Sequence, residues 1–166
     1  MTAEIEMLDW GNRVVNLPCW SVVTASVGSW FSMSFGGKLP RLKPIDNPHL
    51  TFDEQHFDSE YGLFVTTSPW CLFRGDKKIV DWTEDASPDG PIDSGLSLLR
   101  GTRVSSVSFD PTTGNLEMRF DSGSYVLEVI AQNLAPDDDG YSVFFPDRVV
   151  SHYGNGKYEI QAQGKG

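Results

Sequence analysis

Apolar and polar residues alternate with a period of two along much of this chain. Leu116, Met118 and Phe120 alternate with Glu117, Arg119 and Asp121, which puts apolar groups on one face of a strand and charges on the other. The valine- and serine-rich run Arg103 to Phe109 precedes it, and Tyr125, Leu127 and Val129 follow, so Leu98 to Ala131 predicts a three-stranded antiparallel meander. Its connections carry turn chemistry. Asp110-Pro111-Thr112-Thr113-Gly114 fixes φ early with proline and offers glycine for a left-handed residue, and Asp121-Ser122-Gly123 does the same in shorter form.

The same reading gives strands over Trp30 to Phe35 (ended by Gly36-Gly37), Leu63 to Thr67, Trp70 to Phe73 and Lys77 to Trp82, with Arg74-Gly75-Asp76 as a hairpin turn. Later strands are expected over Tyr141 to Phe145, Arg148 to His152 and Lys157 to Ile160, with Gly154-Asn155-Gly156 as a type I′ turn and residues 161–166 frayed. Asn12 to Val27 reads as two short strands broken near Pro18, and Thr2 to Leu8 as a helical turn or a covering strand. Gly37 to Tyr61 has no period, is punctuated by Pro40, Pro44 and Pro48, and reads as a long loop of the kind that is functional or mobile. Glu84 to Ser94 has the composition of a linker, and Pro91 opens a short helix through Leu99.

The chain also repeats itself. Phe31, Met33 and Phe35 stand at one constant offset from Leu116, Met118 and Phe120, and Trp70 to Asp76 stands at a second constant offset from Tyr141 to Asp147. The prediction is an all-β single domain, 1–166, of two similar antiparallel meander halves (12–83 and 98–160). They are joined by an acidic linker, 84–97, holding at most one short helix. Met33 and Met118 then occupy equivalent strands and face the core. The long loop of the first half has no counterpart in the second, which makes it a place to look for function.

Acidic residues outnumber basic ones 23 to 13, for a net charge of −10. Such a surface repels phosphate backbones and anionic membranes, so neither nucleic acid nor membrane is expected as a partner. Met1 to Trp10 is too polar and acidic for a signal peptide, and no apolar run approaches the roughly 20 residues of a membrane span. Cys19 and Cys71 each adjoin a tryptophan in apolar sequence, which suits buried free thiols in a cytoplasmic protein, although spacing alone leaves a disulfide open.

Three stretches carry a resemblance: Gly62-Leu63-Phe64-Val65 with Pro69-Trp70-Cys71-Leu72, then Ile79-Val80-Asp81, and later Leu99-Arg100-Gly101-Thr102-Arg103-Val104. They resemble a family of small bacterial proteins with a G-x-x-L-x-V-x-x-P-W-R strand pair and a later L-x-G-x-x-V meander. The likeness spans roughly Val27 to Ile160 and departs at Cys71, where that family tends to have arginine. The family brings no established chemistry. In size and charge alone, such acidic proteins resemble the immunity proteins of bacterial toxin systems.

No catalytic signature stands out. His49, Asp53, Glu54, His56 and Asp58 supply metal-ligand residue types, but no helical His-x-x-x-His pair and no cysteine supports a zinc site. Asp137-Asp138-Asp139-Gly140 lacks the spacing and terminal glutamate of an EF-hand loop. No nucleophile elbow, P-loop or dinucleotide fingerprint occurs, so no metal, nucleotide or other cofactor is expected. Tryptophans 10, 20, 30, 70 and 82 are assigned to the core, Trp82 being the one expected at the surface.

The expected function is a non-catalytic protein-binding module, an immunity or inhibitor protein that occludes a basic toxin or enzyme. Its partner-binding candidates are Asp53, Glu54 and Asp58 in the long loop, Trp82, Asp85, Asp89 and Asp93 at the linker, and Asp137, Asp138 and Asp139. The alternatives are a hydrolase or small-ligand binder whose site assembles only in three dimensions, and a structural subunit that completes a partner's sheet.

Overall fold

A computed structural model describes residues 2–25, 28–135 and 137–163. Two antiparallel sheets face each other. The strands are β1 (Cys19–Thr24), β2 (Phe31–Pro40), β3 (Phe57–Val65), β4 (Trp70–Arg74), β5 (Lys77–Asp81), β6 (Val104–Phe109), β7 (Leu116–Phe120), β8 (Tyr125–Val129), β9 (Tyr141–Phe144), β10 (Arg148–His152) and β11 (Tyr158–Ala162). One sheet has the order β1-β2-β3-β9-β10-β11 and the other β5-β4-β8-β7-β6. The helices are α1 (Ala3–Val14), α2 (Phe52–His56) and α3 (Pro91–Ser97). The fold is thus mostly β, as the alternation predicts.

The two halves share one register. Val22 lies opposite Met33, and Met33 opposite Leu63, in the six-stranded sheet. Val107 lies opposite Met118, and Met118 opposite Leu127, in the five-stranded one. Even the irregularities correspond: the first meander slips between Cys19 and Ser21, the second between Val104 and Ser106. Met33 and Met118 are both buried. Neither meander keeps its own following hairpin. β4 and β5 add to β8 in the second half's sheet, while β9 and β10 add to β3 in the first half's.

A reciprocal strap sits where the halves meet. Pro18 bridges Arg103, with Cys19 N–H donating to Thr102 C=O (2.8 Å) and Val104 N–H donating to Leu17 C=O (3.1 Å). Asn16 N–H donates to Val104 C=O (2.8 Å), mirrored by Gly101 N–H donating to Cys19 C=O (2.7 Å).

Helices close both flanks of the sandwich. In α1, Met7, Trp10 and Val14 form a buried stripe, Thr2 caps the first turn by accepting from Ile5 N–H, and Glu4 and Glu6 complement the helix dipole. This helix, and not a strand, occupies Val14, correcting the expected strand there. Trp10 meets Phe35 edge-on at 6.0 Å and donates its Nε1–H to Phe144 C=O (3.1 Å), while Gly11 lies against Val107. Glu6, although buried, receives Arg148 Nε at 2.6 Å, which ties α1 to β10. On the other flank α3 lies between β1 and β5, starting at Pro91 as the sequence indicates.

Three further expectations change. Gly36-Gly37 does not end β2. Gly36, at φ +80°, makes a bulge and the strand resumes to Pro40. The long loop shrinks accordingly, since β2 runs to Pro40, α2 begins at Phe52 and β3 begins at Phe57. Residues 154–156 form a 3₁₀ turn in place of the type I′ turn. Gln161 and Ala162 end β11 as paired strand and Gln163 N–H donates to Asp147 C=O (2.8 Å), whereas residues 164–166 of the expected frayed tail lie outside the described residues, as do Val27 and Pro136.

α3 gives a sharp test of this packing. A Cβ at Gly95 lies 2.5 Å from Val80 Cγ1. Gly95→Ala is therefore expected to destabilise the fold by about 1–3 kcal/mol by overpacking, in chemical denaturation, and Val80→Ala in the same chain is expected to recover part of that loss.

Candidate functional site

The largest departure from twofold likeness is the segment between β2 and β3. Phe120 and Tyr125 are joined by a four-residue turn, Asp121–Ser124, but residues 41–56 separate β2 from β3 and cover the outer face of the six-stranded sheet. That face presents Ser32, Ser34 and Phe64. The same register positions on the five-stranded sheet hold Glu117, Arg119 and Glu128. Long charged side chains on one face thus stand where the other has serines and a ring, leaving a cleft of about 690 Å³ under the 41–56 roof.

Glu54 fastens that roof. Thr51 and Glu54 form a capping box on α2: Glu54 N–H donates to Thr51 Oγ1 (3.1 Å) and Thr51 N–H donates to Glu54 Oε1 (3.0 Å). Glu54 Oε2 then accepts from Ser21 Oγ (2.7 Å), the Val22 N–H (3.2 Å) and Arg100 Nη2 (3.1 Å). Its residual exposure is 4 %. Burial acts to raise its pKa, but the Thr51 N–H, the Ser21 hydroxyl and Arg100 together hold it below the usual carboxylate range. Glu54 is therefore an internal tether that satisfies an N–H of edge strand β1, and it is not available to a partner. The Thr-x-x-Glu spacing was the sequence signal for it.

The metal-ligand types in this segment do not converge. His56 stacks on Phe52 at 4.0 Å with Nδ1 2.9 Å from the Phe52 carbonyl, Asp53 pairs with Lys38 (2.8 Å), and Asp58 Oδ1 accepts from Ser59 N–H (2.8 Å). Among the described residues no group of three or more His, Cys, Asp or Glu is placed to hold a metal ion. His152 lies in the core, 1 % exposed, stacked on Tyr141 at 4.5 Å with Nε2 3.1 Å from Met7 Sδ. Cys19 and Cys71 are free thiols, and burial pushes Cys19 up to about 12, so it is inert.

The other candidates gather at the end of the sandwich where the chain crosses between sheets. β3 passes to β4 through residues 66–69, held by Thr66 N–H to Gly140 C=O (3.0 Å) and Thr67 N–H to Asp139 C=O (3.2 Å). Beside this crossover Trp82 N–H donates to Trp70 C=O (3.1 Å), and Trp70 Nε1–H donates to Ser29 C=O (2.9 Å). Trp82 and Trp30 therefore stand at the same end, 46 % and 50 % exposed. The exposure of Trp30 corrects its assignment to the core, and Trp20 is only partly buried.

Glu84, Asp85, Asp89 and Asp93 follow Trp82 in the chain, and Asp137 to Asp139 reach the crossover through the Asp139 carbonyl. Asp93 accepts from Thr24 Oγ1 (3.4 Å) and from the Asp89 N–H (3.1 Å), and Asp85 is held low by the N–H and hydroxyl of Ser87. None of these seven carboxylates is in an ion pair among the described residues. Trp30, Asp89 and Asp93 also line a second cleft of about 870 Å³, together with His49 and Arg100. Asp53 and Asp58 are not part of this group. They belong to the opposite end, where Asp58 lies across from Leu39.

No family model, curated protein or solved structure matches the chain, so its motif resemblance brings no function with it. No helix among the described residues is long and apolar enough to cross a membrane.

Two acid-sensitive groups give predictions. His152 is pushed down to about 4 from the usual 6.5 by burial, so the unfolded chain binds the extra proton first as pH falls. Stability is expected to fall by about 3 kcal/mol between pH 6.5 and pH 4 from this group, and His152→Phe is expected to flatten that part of a stability–pH curve. The depressed Glu54 acts in the same sense, its contribution being complete above the ordinary carboxylate range and lost as pH falls through the folded value. Arg100→Met strands the Glu54 charge and is expected to cost about 3 kcal/mol, more than Glu54→Gln, which leaves Arg100 able to reach water.

Proposed function

We propose that this chain is a non-catalytic protein-binding module whose crossover end receives a basic surface, as an immunity or inhibitor protein would meet a basic toxin or enzyme. One observation supports the reading above the others: two half-exposed tryptophans, Trp30 and Trp82, share an end of the sandwich with seven carboxylates that form no ion pair among the described residues. Several acids elsewhere do have ion-pair partners, as in Glu6 and Asp9 with Arg148, Asp53 with Lys38 and Glu117 with Arg119. Like charges held together at one end repel one another over a Debye length of about 8 Å at physiological salt, and a basic partner relieves that repulsion.

Each group has its role in this reading. The carboxylates steer encounter, and the indole rings, once covered, resist dissociation. Occlusion is the mechanism: the acidic end covers the lysines and arginines with which a toxin holds its own substrate. Two free thiols suit a reducing compartment such as the cytoplasm.

A specific observation favours a second reading, a small-ligand binder. In the roofed cleft, Trp20 Nε1 and Arg41 Nε have no hydrogen-bond acceptor among the described residues, and the serine floor leaves room for a ligand group to supply one.

Association kinetics with a basic protein recovered on the immobilised chain separate the two. Asp85→Asn, Asp89→Asn and Asp93→Asn together are expected to slow association about tenfold and flatten its salt dependence, and Asp137→Asn, Asp138→Asn and Asp139→Asn to act in the same direction. Trp82→Ala is expected to raise the dissociation rate about 30-fold. Unchanged rates and salt slopes in all three variants, with binding abolished by Arg41→Ala, would move the site to the roofed cleft.

A further inference from the structure

β11 has no counterpart in the first half, where the chain leaves β5 directly for the loop before α3. It is also built unlike the other sheet edges. The outer edge of β1 is met by the reciprocal strap, Glu54 and α3, that of β6 by the strap and α1, and β5 carries a bulge in its pairing together with Lys77, Lys78 and Asp81. Those are the usual protections of an edge. β11 pairs with β10 without a bulge, and all five of its residues are exposed.

Its hydrogen-bonding parity can be read from the two ends of the ladder. Tyr153 N–H donates to Lys157 C=O (2.8 Å) and Gln163 N–H donates to Asp147 C=O (2.8 Å), so the odd-numbered residues of β11 bond to β10. Ile160 and Ala162 accordingly turn their N–H and C=O groups outward. Side chains follow the same register. Tyr158 and Ile160 lie opposite His152 and Val150, both buried, and therefore share the inner face of the sheet. They are 39 % and 38 % exposed there. A strand exposed at all five residues gains little from burial to offset the backbone entropy of about 1–2 kcal/mol per residue.

We infer that β11 is a self-association edge, pairing antiparallel with β11 of a second copy about a twofold axis at Ile160. The outward parity allows this centre, and the length of the pairing and the outer-face side chains select it over its neighbours. Ile160 then exchanges both backbone hydrogen bonds with Ile160 of the second copy, and Ala162 comes opposite Tyr158. On the outer face the same register sets Glu159 opposite Gln161 of the second copy, so carboxylate meets amide and no like charges face one another. A centre lying between two residues sets an outward group against one already bonded to β10 and fails; a centre at Glu159 or Gln161 keeps the parity but pairs three residues of β11 in place of five, and the former also sets Glu159 against Glu159 of the second copy. The six-stranded sheet becomes a continuous twelve-stranded one, with the Tyr158 and Ile160 side chains of both copies in one apolar strip. Each copy carries a net charge of −10, so added salt strengthens this contact while weakening a charge-steered one.

Sedimentation of the full chain over a concentration series, at low and high salt, reads the association directly. Wild type is expected to approach twice the monomer mass as concentration rises, more readily in high salt. Ile160→Pro removes an N–H that β10 does not use and is expected to weaken dimerisation at least tenfold with the melting temperature unchanged, whereas Gln161→Pro breaks the monomer's own ladder and lowers it. In the paired state Ile160 Cα atoms of the two copies lie about 5.5 Å apart, a distance suited to a disulfide. Ile160→Cys is therefore expected to cross-link under mild oxidation in a Cys71→Ser background, and Glu159→Cys to remain uncrosslinked. A chain that stays monomeric at every concentration and salt, or a dimer that Ile160→Pro leaves intact, overturns the inference.

Discussion

The exchange of hairpins between the two halves is the constraint on which this structure depends. Each meander lends its core face to a sheet that the other half completes, through β3 with β9 and β8 with β4. Neither half alone buries Leu63 or Leu127 on both sides of its strand, so the halves fold as one cooperative unit around a continuous core. The contacts that close the fold are distant in sequence, which places loop-closure entropy ahead of most of the stabilising burial. The strap between Leu17–Cys19 and Thr102–Val104 anchors this exchange. Both segments must be extended and in register before either sheet is complete.

Departures from the twofold likeness set the surfaces of the two halves apart. The shared elements spend their side chains on the core: methionine, leucine, valine and aromatic residues recur at matched positions. The elements that differ are the roof at 41–56, the acidic connection from Trp82 to Gly90, and β11. Each disposes of surface in a different manner. The roof buries a carboxylate, the connection exposes several beside indole rings, and β11 leaves backbone groups outward. Duplication constrains the core, so variation is tolerated where it does not alter the paired register.

Electrostatics separates tethering acids from surface acids. Glu6 and Glu54 are both buried, and each meets an arginine that reaches from another element, Arg148 and Arg100. These charges hold α1 and α2 to the sheets, and their geometry is fixed by several hydrogen bonds at once. The carboxylates at the crossover end bond instead to backbone N–H and hydroxyl groups of their own turns, as in Asp85 with Ser87 and Asp93 with Asp89. Such contacts shape the turn and leave the negative charge uncompensated.

Much of the fold was legible from local pattern. The alternation at Leu116, Met118 and Phe120 and its echo at Phe31, Met33 and Phe35 determined strand type, inward face and the twofold repeat, because side-chain period is a property of the strand itself. Two of the helices, α1 and α2, were less visible. α1 shows the i, i+3, i+7 spacing of Met7, Trp10 and Val14, but its short stripe resembles strand pattern, and α2 is marked only by the Thr51–Glu54 capping box. The candidate site divided in the same way. Sequence picked out the carboxylates and Trp82 by type and placed Trp30 in the core; it had no means of separating Glu54 from Asp85. Only the tertiary structure decided that one is enclosed by Ser21 and Arg100 while the other faces water, since burial and pairing depend on residues brought together from distant parts of the chain. The same holds for β11. Its alternation specified a strand, but whether its edge is covered depended on the number of strands opposite, which no local pattern contains.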